Sequence, residues 1–478
     1  MDRELCYAAR KNKDEALEGK LYIGAWSRGV FCRVTCPDQL PEDPNDMVYF
    51  SNIYEALDKG LLPCPDCEPD LHSQQIILNK EVQNVVNNAI GLISEGYLNT
   101  NSVAQLARDL YISERHLRKL FDKEIGVSPT KIAIFHKAIF AKKLLYETDM
   151  SITDIAFASG FGSVRQFNNV FKAIFKVPPS AFRRENHISE GKGNVLFLYY
   201  TRPFDFEKIL GSIKAKIIKG VEAVGNNCYS RTFFINNTVG HFTVKNNEEE
   251  NRLEASIFSK DTICYMAIYN RIKRMFDLNT NFSYVKKVLH SYPVLERGMN
   301  NGGVPRLLLG FSPYEVTIEG ILKQKISPQA AVAVIEKMVK KAGKTYKCDI
   351  EGLTHIYPDM NEINDIDLNE LGIDSSSAET IRAVNDALIN NEISLAYNQD
   401  YDRFYNNFIR IKGIDDKLVN YVAMRGLGMT DTFLAEDPGV SEAFEKSGNQ
   451  LTSKEILELA EQWRPYRAYA TLCMWNGL

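Results

Sequence analysis

Four cysteines near the start of the chain have the type and spacing for metal or nucleophile chemistry. Cys32 and Cys36 lie in GVFCRVTCP, Cys64 and Cys67 in LLPCPDCEPD, so a C-x3-C pair precedes a C-x2-C pair by 27 residues. Two short-spaced pairs suit a tetrahedral Zn2+ site, because each tight turn supplies two thiolates. Pro37, Pro63, Pro65 and Pro69 stiffen those turns. Such a site either only holds a fold or also supplies a nucleophile, since a metal-bound sulfur stays deprotonated near neutral pH.

The surroundings of these residues set limits on both readings. The chain has 478 residues, which implies several domains, and its 45% apolar and 25% charged residues are those of a globular protein. No stretch approaches the roughly 18 to 20 apolar residues of a membrane span. The start, MDRELCYAARKNKDEALEGK, is charged throughout and does not read as a signal peptide. A reducing, cytoplasmic location is expected, where nine cysteines are not a disulfide framework. Net charge is −4, but it is unevenly placed. Residues 1–79 carry 8 Lys/Arg against 14 Asp/Glu, residues 80–192 carry 16 against 11, and the remainder 33 against 36. The one basic segment is therefore the candidate nucleic-acid module.

That segment has helical periodicity. Asn101 or Ser102 can cap VAQLARDL, and Ser113 can cap ERHLRKLF, with Ala104, Leu106, Ala107, Leu110, Ile112, Leu117 and Leu120 facing inward. SITDIAFASGFGSVRQFNNVFK repeats the pattern, with Ser151 and Asp154 as a capping-box variant, Gly160 and Gly162 in the turn, and Ser163 opening the second helix. A connecting helix opened by Ser128 and Pro129 would place both second helices on one DNA face, about a helical turn apart. RRENHISEGKGN reads as a linker. VLFLYYTRP and RTFFINNTVGHFTVK alternate like strands, and from about residue 265 the pattern is helical to the end.

Three resemblances follow from these motifs. GVFCRVTCP with MVYFSNIYEALDKGLLPCPDCEPD resembles the zinc module of the Ada adaptive-response proteins. That resemblance implies that Cys32 is both ligand and nucleophile, taking a methyl group from a methylated DNA phosphate, with Cys36, Cys64 and Cys67 as co-ligands. Methylation would change the centre from −2 to −1. One unit charge at roughly 7 Å and an effective dielectric of about 20 is worth about 2 kcal/mol, more than tenfold in DNA affinity. The loop PDQLPEDPND departs from the family by carrying Asp38, Glu42, Asp43 and Asp46 where basic residues usually face phosphate.

The helical segment, closed by FKAIFKVPPSAFRR, resembles the AraC-type DNA-binding domain. This places Glu114, Arg115, Arg118 and Lys119 of the first unit, and Ser163, Arg165, Gln166 and Asn169 of the second, where groove contacts are made. From about residue 195 the chain resembles the AlkA-type 3-methyladenine DNA glycosylases of the helix-hairpin-helix superfamily. RPFDFEKILG, GVEAVGNNCYSR, IEGILKQKIS, IRIKGIDDKLVNYVAMRG, TDTFLAEDPGV and EQWRPYRAYATLCMW carry the likeness. It implies that Asp437 is the catalytic anion beside an oxocarbenium-like sugar, the motif register favouring it over the alternative, the preceding Glu436. It also implies a flipped base in a pocket, with Tyr421 and Trp475 as stacking aromatics. Gly413 keeps the first hairpin glycine, while Asp415 replaces the second. Lys417 stands where better-known members carry a pocket indole, Lys325 where a wedge leucine fills the stack, and Ser212 where a pocket phenylalanine occurs.

The fold class expected is multidomain, mainly α with α+β parts. It comprises a four-cysteine zinc module (1–78), a double helix-turn-helix domain (79–185), a linker (186–193), an antiparallel sheet with a helix (194–265) and an all-helical glycosylase body (266–478). The function expected is methyl acceptance at Cys32 coupled to promoter binding, plus excision of alkylated purines through Asp437. One Zn2+, double-stranded DNA and RNA polymerase are the expected cofactor and partners, with no membrane and a monomeric state. The alternative is a transcriptional regulator with a structural zinc site and an inactive glycosylase fold, favoured by Lys325, Asp415 and Lys417. No PCHRV-type motif occurs, so direct reversal of base O-alkylation is not expected.

Overall fold

The computed structural model describes residues 2–38, 44–67, 69–70, 83–186, 194–299 and 303–478. The expected linker, apart from Asn186, and Glu42 and Asp43 of the acidic loop lie outside the described residues. The chain divides into two compact units, residues 1–197 with 261–270, and residues 198–260 with 271–478.

In the first unit, helix α1 (Arg3–Lys11) leads to a small sheet of β1 (Tyr22–Ala25), β2 (Val30–Arg33), β3 (Met47–Phe50) and β4 (Leu62–Pro63). Its order is β3-β1-β2-β4, with β1 antiparallel to both neighbours and β4 parallel to β2. Helix α2 (Ile53–Asp58) fills the crossover to β4, capped by Asn52. The helical part follows as α3 (Gln83–Ser94), α4 (Val103–Asp109), α5 (Glu114–Glu124), α6 (Pro129–Glu147), α7 (Ile152–Ala158), α8 (Val164–Phe175) and α9 (Pro179–Asn186). The side chains of Ser102, Ser113, Ser128, Ser151 and Ser163 each accept a backbone N–H in the first turn of the helix they precede. The starts of these helices are therefore set by local hydrogen bonding.

The cysteine module and the first helix pair share one core. Tyr22, Phe31, Phe50, Ile53 and Leu57 pack in the same buried cluster as Leu106, Leu117, Phe121 and Ile132. Polar contacts fix the join. Asn52 Nδ2 donates to the Ile125 carbonyl at 3.3 Å, and Tyr54 Oη lies 2.6 Å from His136 Nε2 on α6. Asp70, whose side chain is 0% exposed, is paired at 2.8 Å with Lys142, 11% exposed. The same ammonium lies 5.9 Å from the Phe175 ring of α8.

The second unit carries a five-stranded sheet of order β5-β9-β8-β7-β6: β5 (Val195–Tyr199), β6 (Glu222–Gly225), β7 (Cys228–Ile235), β8 (Thr238–Asn247) and β9 (Arg252–Ser259). The chain enters this unit within β5 and re-enters it within α11 (Tyr265–Met275). Helix α10 (Phe206–Lys214) sits between β5 and β6. The body consists of α12 (Phe282–Leu289), α13 (Pro293–Glu296), α14 (Pro313–Lys323), α15 (Pro328–Ala342), α16 (Met360–Asn364), α17 (Ser375–Ile389), α18 (Tyr401–Phe408), α19 (Asp416–Tyr421), α20 (Pro438–Lys446), α21 (Ser453–Ala460) and α22 (Arg467–Asn476). It has two apolar cores, one around α14, α15, α17 and α19, the other around α12, α20 and α22. A π-helical turn, Val422–Gly426, extends α19 between them.

Removing one partner of a buried ion pair leaves an uncompensated charge, at a cost of about 3–5 kcal/mol. Lys142→Met is therefore expected to lower the stability of the first unit by about 3 kcal/mol in urea unfolding. A change below ~0.5 kcal/mol would show that Asp70 is not held by this contact.

Candidate functional site

The thiolate cluster is assembled by strand pairing. Cys32 lies on β2, and its Cα is opposite Ile23 of β1. A tight turn follows, closed by Cys36 N donating to the Arg33 carbonyl at 3.2 Å. Parallel pairing of β4 sets Phe31 against Pro63, and Cys64 N donates to the Phe31 carbonyl at 2.9 Å. Cys67 lies three residues on, its Sγ accepting from Arg33 N at 3.4 Å. All four sulfurs lie within 4.8 Å of one another. Cys36, Cys64 and Cys67 are buried, and Cys32 is half-buried.

This donor set fits a tetrahedral metal: four sulfurs converge, and three of them are closed off from solvent. Hydrogen bonds from Cys32 and Cys67, helped by nearby Arg10, hold the Cys36 thiol far below its ordinary value, whereas the bonds with Cys36 and Cys67 raise Cys32. Arg10 of α1 is buried and donates to the carbonyls of Cys36 at 3.1 Å and Asp38 at 2.7 Å. Sequence spacing gave no hint of this cation behind the cluster. Two acids of the loop have partners: Asp38 pairs with Arg28 at 2.7 Å, and Asp46 accepts from the Ser27 backbone at 2.8 Å.

On α5, Arg115, Arg118 and Lys119 are exposed, but Glu114 and Arg118 are joined by a 2.6 Å ion pair. On α8, Ser163 Oγ accepts from Gln166 N at 3.2 Å and Gln166 Oε1 accepts from Gly162 N at 3.2 Å. Ser163 and Gln166 thus cap the helix, while Arg165 and Asn169 stand exposed four residues apart on one face.

In the second unit Asp437 caps α20. Its Oδ1 accepts from Gly439 N at 2.9 Å, Val440 N at 3.3 Å and Trp475 Nε1 at 2.7 Å. The indole N–H fixes the rotamer of the carboxylate. All three donors use Oδ1, so among the described residues Oδ2 has no hydrogen-bond partner. Glu436 is exposed one residue before it. Trp475, expected as a stacking ring, spends its N–H on the carboxylate. Arg425 covers the ring, its Cζ 5.6 Å from the centroid. Glycine is required at position 439 because an added Cβ would lie 2.9 Å from Trp475 Cδ1 and 3.1 Å from Asp437 Oδ1.

Gly413 has φ +89°, and an added Cβ would meet Thr380 Oγ1 at 2.0 Å. Asp415 caps α19, accepting from Leu418 N at 2.8 Å. The Leu418 amide at the start of α19 is therefore taken up by a carboxylate. Lys417 and Lys325 are exposed, the latter in the turn after α14. Tyr421 contacts Glu319 and Lys323 of α14. A cavity of about 100 Å3 lies alongside, lined by Ser212, Lys216, Glu319, Leu309 and Phe311 among others. The lining residues Glu222, Arg231 and Glu315 are joined by ion pairs. Lys216 is exposed as a residue, yet enclosure of its ammonium, then Arg425, lower its pKa.

Comparison with known proteins assigns the segments. Residues 5–70 match the metal-binding domain of Ada, 106–185 a helix-turn-helix domain and 195–307 the AlkA N-terminal domain. In these three matches the chain is similar in turn to Ada-type, helix-turn-helix and AlkA-type domains. It is 27% identical to a probable bifunctional transcriptional activator/DNA repair enzyme AlkA of Mycobacterium tuberculosis, over 100% of this chain and 97% of that protein. It is 23% identical to DNA-3-methyladenine glycosylase 2 of Escherichia coli, over 58% of this chain and 95% of that protein. The fold of the 3-methyladenine DNA-glycosylase from Archaeoglobus fulgidus matches with a TM-score of 0.50 at 17% identity, covering 58% of this chain and 96% of that one.

Gly439→Ala is expected to push the indole off Asp437, costing about 1–3 kcal/mol through overpacking. The check is a melting curve together with tryptophan emission. Unchanged stability and emission would contradict the close packing of Trp475 on α20.

Proposed function

We propose that this protein senses and repairs alkylated DNA: its first unit accepts methyl groups at Cys32 and binds promoters, and its second excises alkylated purines through Asp437. The borders expected from sequence serve as the domain assignment of this reading. The observation that carries it is the locked carboxylate, an aspartate at a helix N-terminus held by Trp475 with Oδ2 left over. A developing positive charge at the sugar is stabilised by such a fixed anion, which need not reorganise during the reaction. Excision is hydrolysis: the N-glycosidic bond breaks, its electron pair leaves with the damaged base, and water supplies the hydroxyl at C1′.

In the first unit, Zn2+ held by Cys32, Cys36, Cys64 and Cys67 keeps the sulfurs deprotonated. Cys32 is the most accessible of the four and is the nucleophile of this reading. Its sulfur forms the S–CH3 bond as the O–CH3 bond of a phosphotriester breaks, and the electron pair returns to the phosphate oxygen. The methyl stays on the protein, so each chain reacts once. Arg115, Lys119, Arg165 and Asn169 are the groove-facing residues best placed for DNA contact, while Glu114, Arg118, Ser163 and Gln166 also carry structural bonds. Recruitment of RNA polymerase and action as a cytoplasmic monomer complete the proposal.

One observation favours a second reading, a regulator with an inactive second unit: Asp415 occupies the hairpin amide that a phosphate would use. The two readings separate in an assay for release of 3-methyladenine and 7-methylguanine from methylated DNA. Active wild type with at least about a hundredfold loss in Asp437→Asn is expected if the fixed anion is a principal electrostatic contributor. No release by folded, DNA-binding protein would leave sensing and regulation alone.

A further inference from the structure

The four-sulfur cluster has charged neighbours that a metal does not require. Asp38 and Asp66 each place a carboxylate oxygen within 4.8 Å of Cys64 Sγ and of each other. Cys64 Sγ lies in turn within 4.8 Å of Cys32 Sγ. Asp66 is exposed and makes no ion pair among the described residues; the Cys64 thiol, 3.9 Å from its Oδ2, is its hydrogen-bond partner. Asp38 is held from two sides. Arg28, in the turn between β1 and β2, pairs with its carboxylate at 2.7 Å, and buried Arg10 donates to its carbonyl at 2.7 Å. Asp46 fixes that turn by accepting from Ser27 N at 2.8 Å.

The arginines of this region are already engaged. Arg28 serves Asp38, Arg33 pairs with Glu18 at 3.3 Å, and Arg10 is turned to the carbonyls of Cys36 and Asp38. Glu18 also accepts from Thr35 Oγ1 at 2.7 Å. These three arginines cancel Glu18, Asp38 and Asp66. The charge left over is that of the sulfurs, −2 when four thiolates hold one Zn2+. Of the three acids, Asp38 and Asp66 are the two set against a sulfur.

We propose that Asp38 and Asp66 are a charge filter at Cys32: they exclude anionic groups from its sulfur and admit neutral ones, so that it reacts with a methylated phosphate and ignores the phosphodiesters of undamaged DNA. As an account of repair this rests on the methyl-acceptor reading of Cys32. A phosphodiester brought to Cys32 gives up water around its charge and meets like charge on the sulfurs and on both carboxylates. The arginines that would offset this are paired elsewhere. A methyl phosphotriester has no net charge to repel. When its O–CH3 bond breaks and the S–CH3 bond forms, the electron pair leaves an anionic diester, and the same carboxylates favour its departure. Arg10 and Arg28 are positioning residues that keep Asp38 against the cluster. The acidic character of this loop, where related modules are basic, is then the selecting feature.

The first test uses two alkylating probes that differ in charge, neutral iodoacetamide and anionic iodoacetate, on the Zn2+-loaded full chain at low salt. Peptide mapping reads the rate at Cys32, and 2-mercaptoethanol gives the intrinsic ratio of the two reagents. The wild type is expected to favour iodoacetamide at least about tenfold beyond that ratio, and the preference to shrink as salt screens the carboxylates. Asp38→Asn and Asp66→Asn are each expected to reduce it about threefold at unchanged zinc content. Asp66→Asn, at an exposed side chain, decides the matter if Asp38→Asn loses its metal. A wild-type ratio equal to that of 2-mercaptoethanol, or one that the metal-loaded variants leave unmoved, would overturn the proposal. The second test follows methyl transfer to Cys32 from a trinucleotide with one methyl phosphotriester, against the all-diester trinucleotide as competitor. The competitor is expected to inhibit the double variant about tenfold more tightly than the wild type. Equal inhibition would overturn the selectivity. An aspartate-dependent probe preference in a protein that takes no methyl from the triester would uphold the filter and sink the methyl-acceptor reading.

Discussion

The first unit depends on one backbone constraint, the parallel pairing of the two-residue strand β4 with β2. That pairing lays Cys64 beside Phe31 and so closes a four-sulfur cluster from segments about thirty residues apart. The same strands contribute Phe31, and through β1 Tyr22, to the core that α4, α5 and α6 complete. A disturbance at the sulfurs therefore reaches the core on which the first helix pair is built. Asp70, just beyond Cys67, extends the connection to Lys142 and to the edge of the α8 aromatic cluster. Metal binding is coupled to folding in small modules of this kind, and here the module is not separate from the helices it would regulate.

The second unit uses a different constraint for a similar end. Asp437 is held by two amides and an indole, so its position is set by the fold itself. Arg425 lies over the Trp475 ring, and Tyr421, Glu319 and Lys323 form a second group of stacked and paired side chains. Tyr421 precedes the π-helical turn and Arg425 lies within it, a distortion that often accompanies functional sites. Positive charges lie over two aromatic faces of this region, Lys323 over Tyr421 and Arg425 over Trp475.

Much of this was legible from local pattern. Cysteine spacing marks the cluster because two tight turns supply four donors. Serine caps mark the helix starts because they satisfy amides within three residues. Asp415, read as the replacement of a hairpin glycine, is a helix cap in the structure. What was not legible involves partners distant in sequence. Arg10 behind Cys36, Lys142 on Asp70, Trp475 on Asp437 and Lys323 on Tyr421 span 26, 72, 38 and 98 positions respectively. No periodicity encodes such pairs; they follow from how the helices pack. For the same reason the bond from the Trp475 N–H to the carboxylate could not be read from the sequence.

The most direct test of the account is where a methyl group goes. The full chain, loaded with Zn2+, is incubated with duplex DNA carrying methyl phosphotriesters, and its peptides are mapped by mass spectrometry. The account predicts one methyl per chain, on Cys32 alone, with the transfer lost in Cys32→Ser. A metal-loaded, DNA-binding protein that takes up no methyl, or takes it on another cysteine, would contradict it.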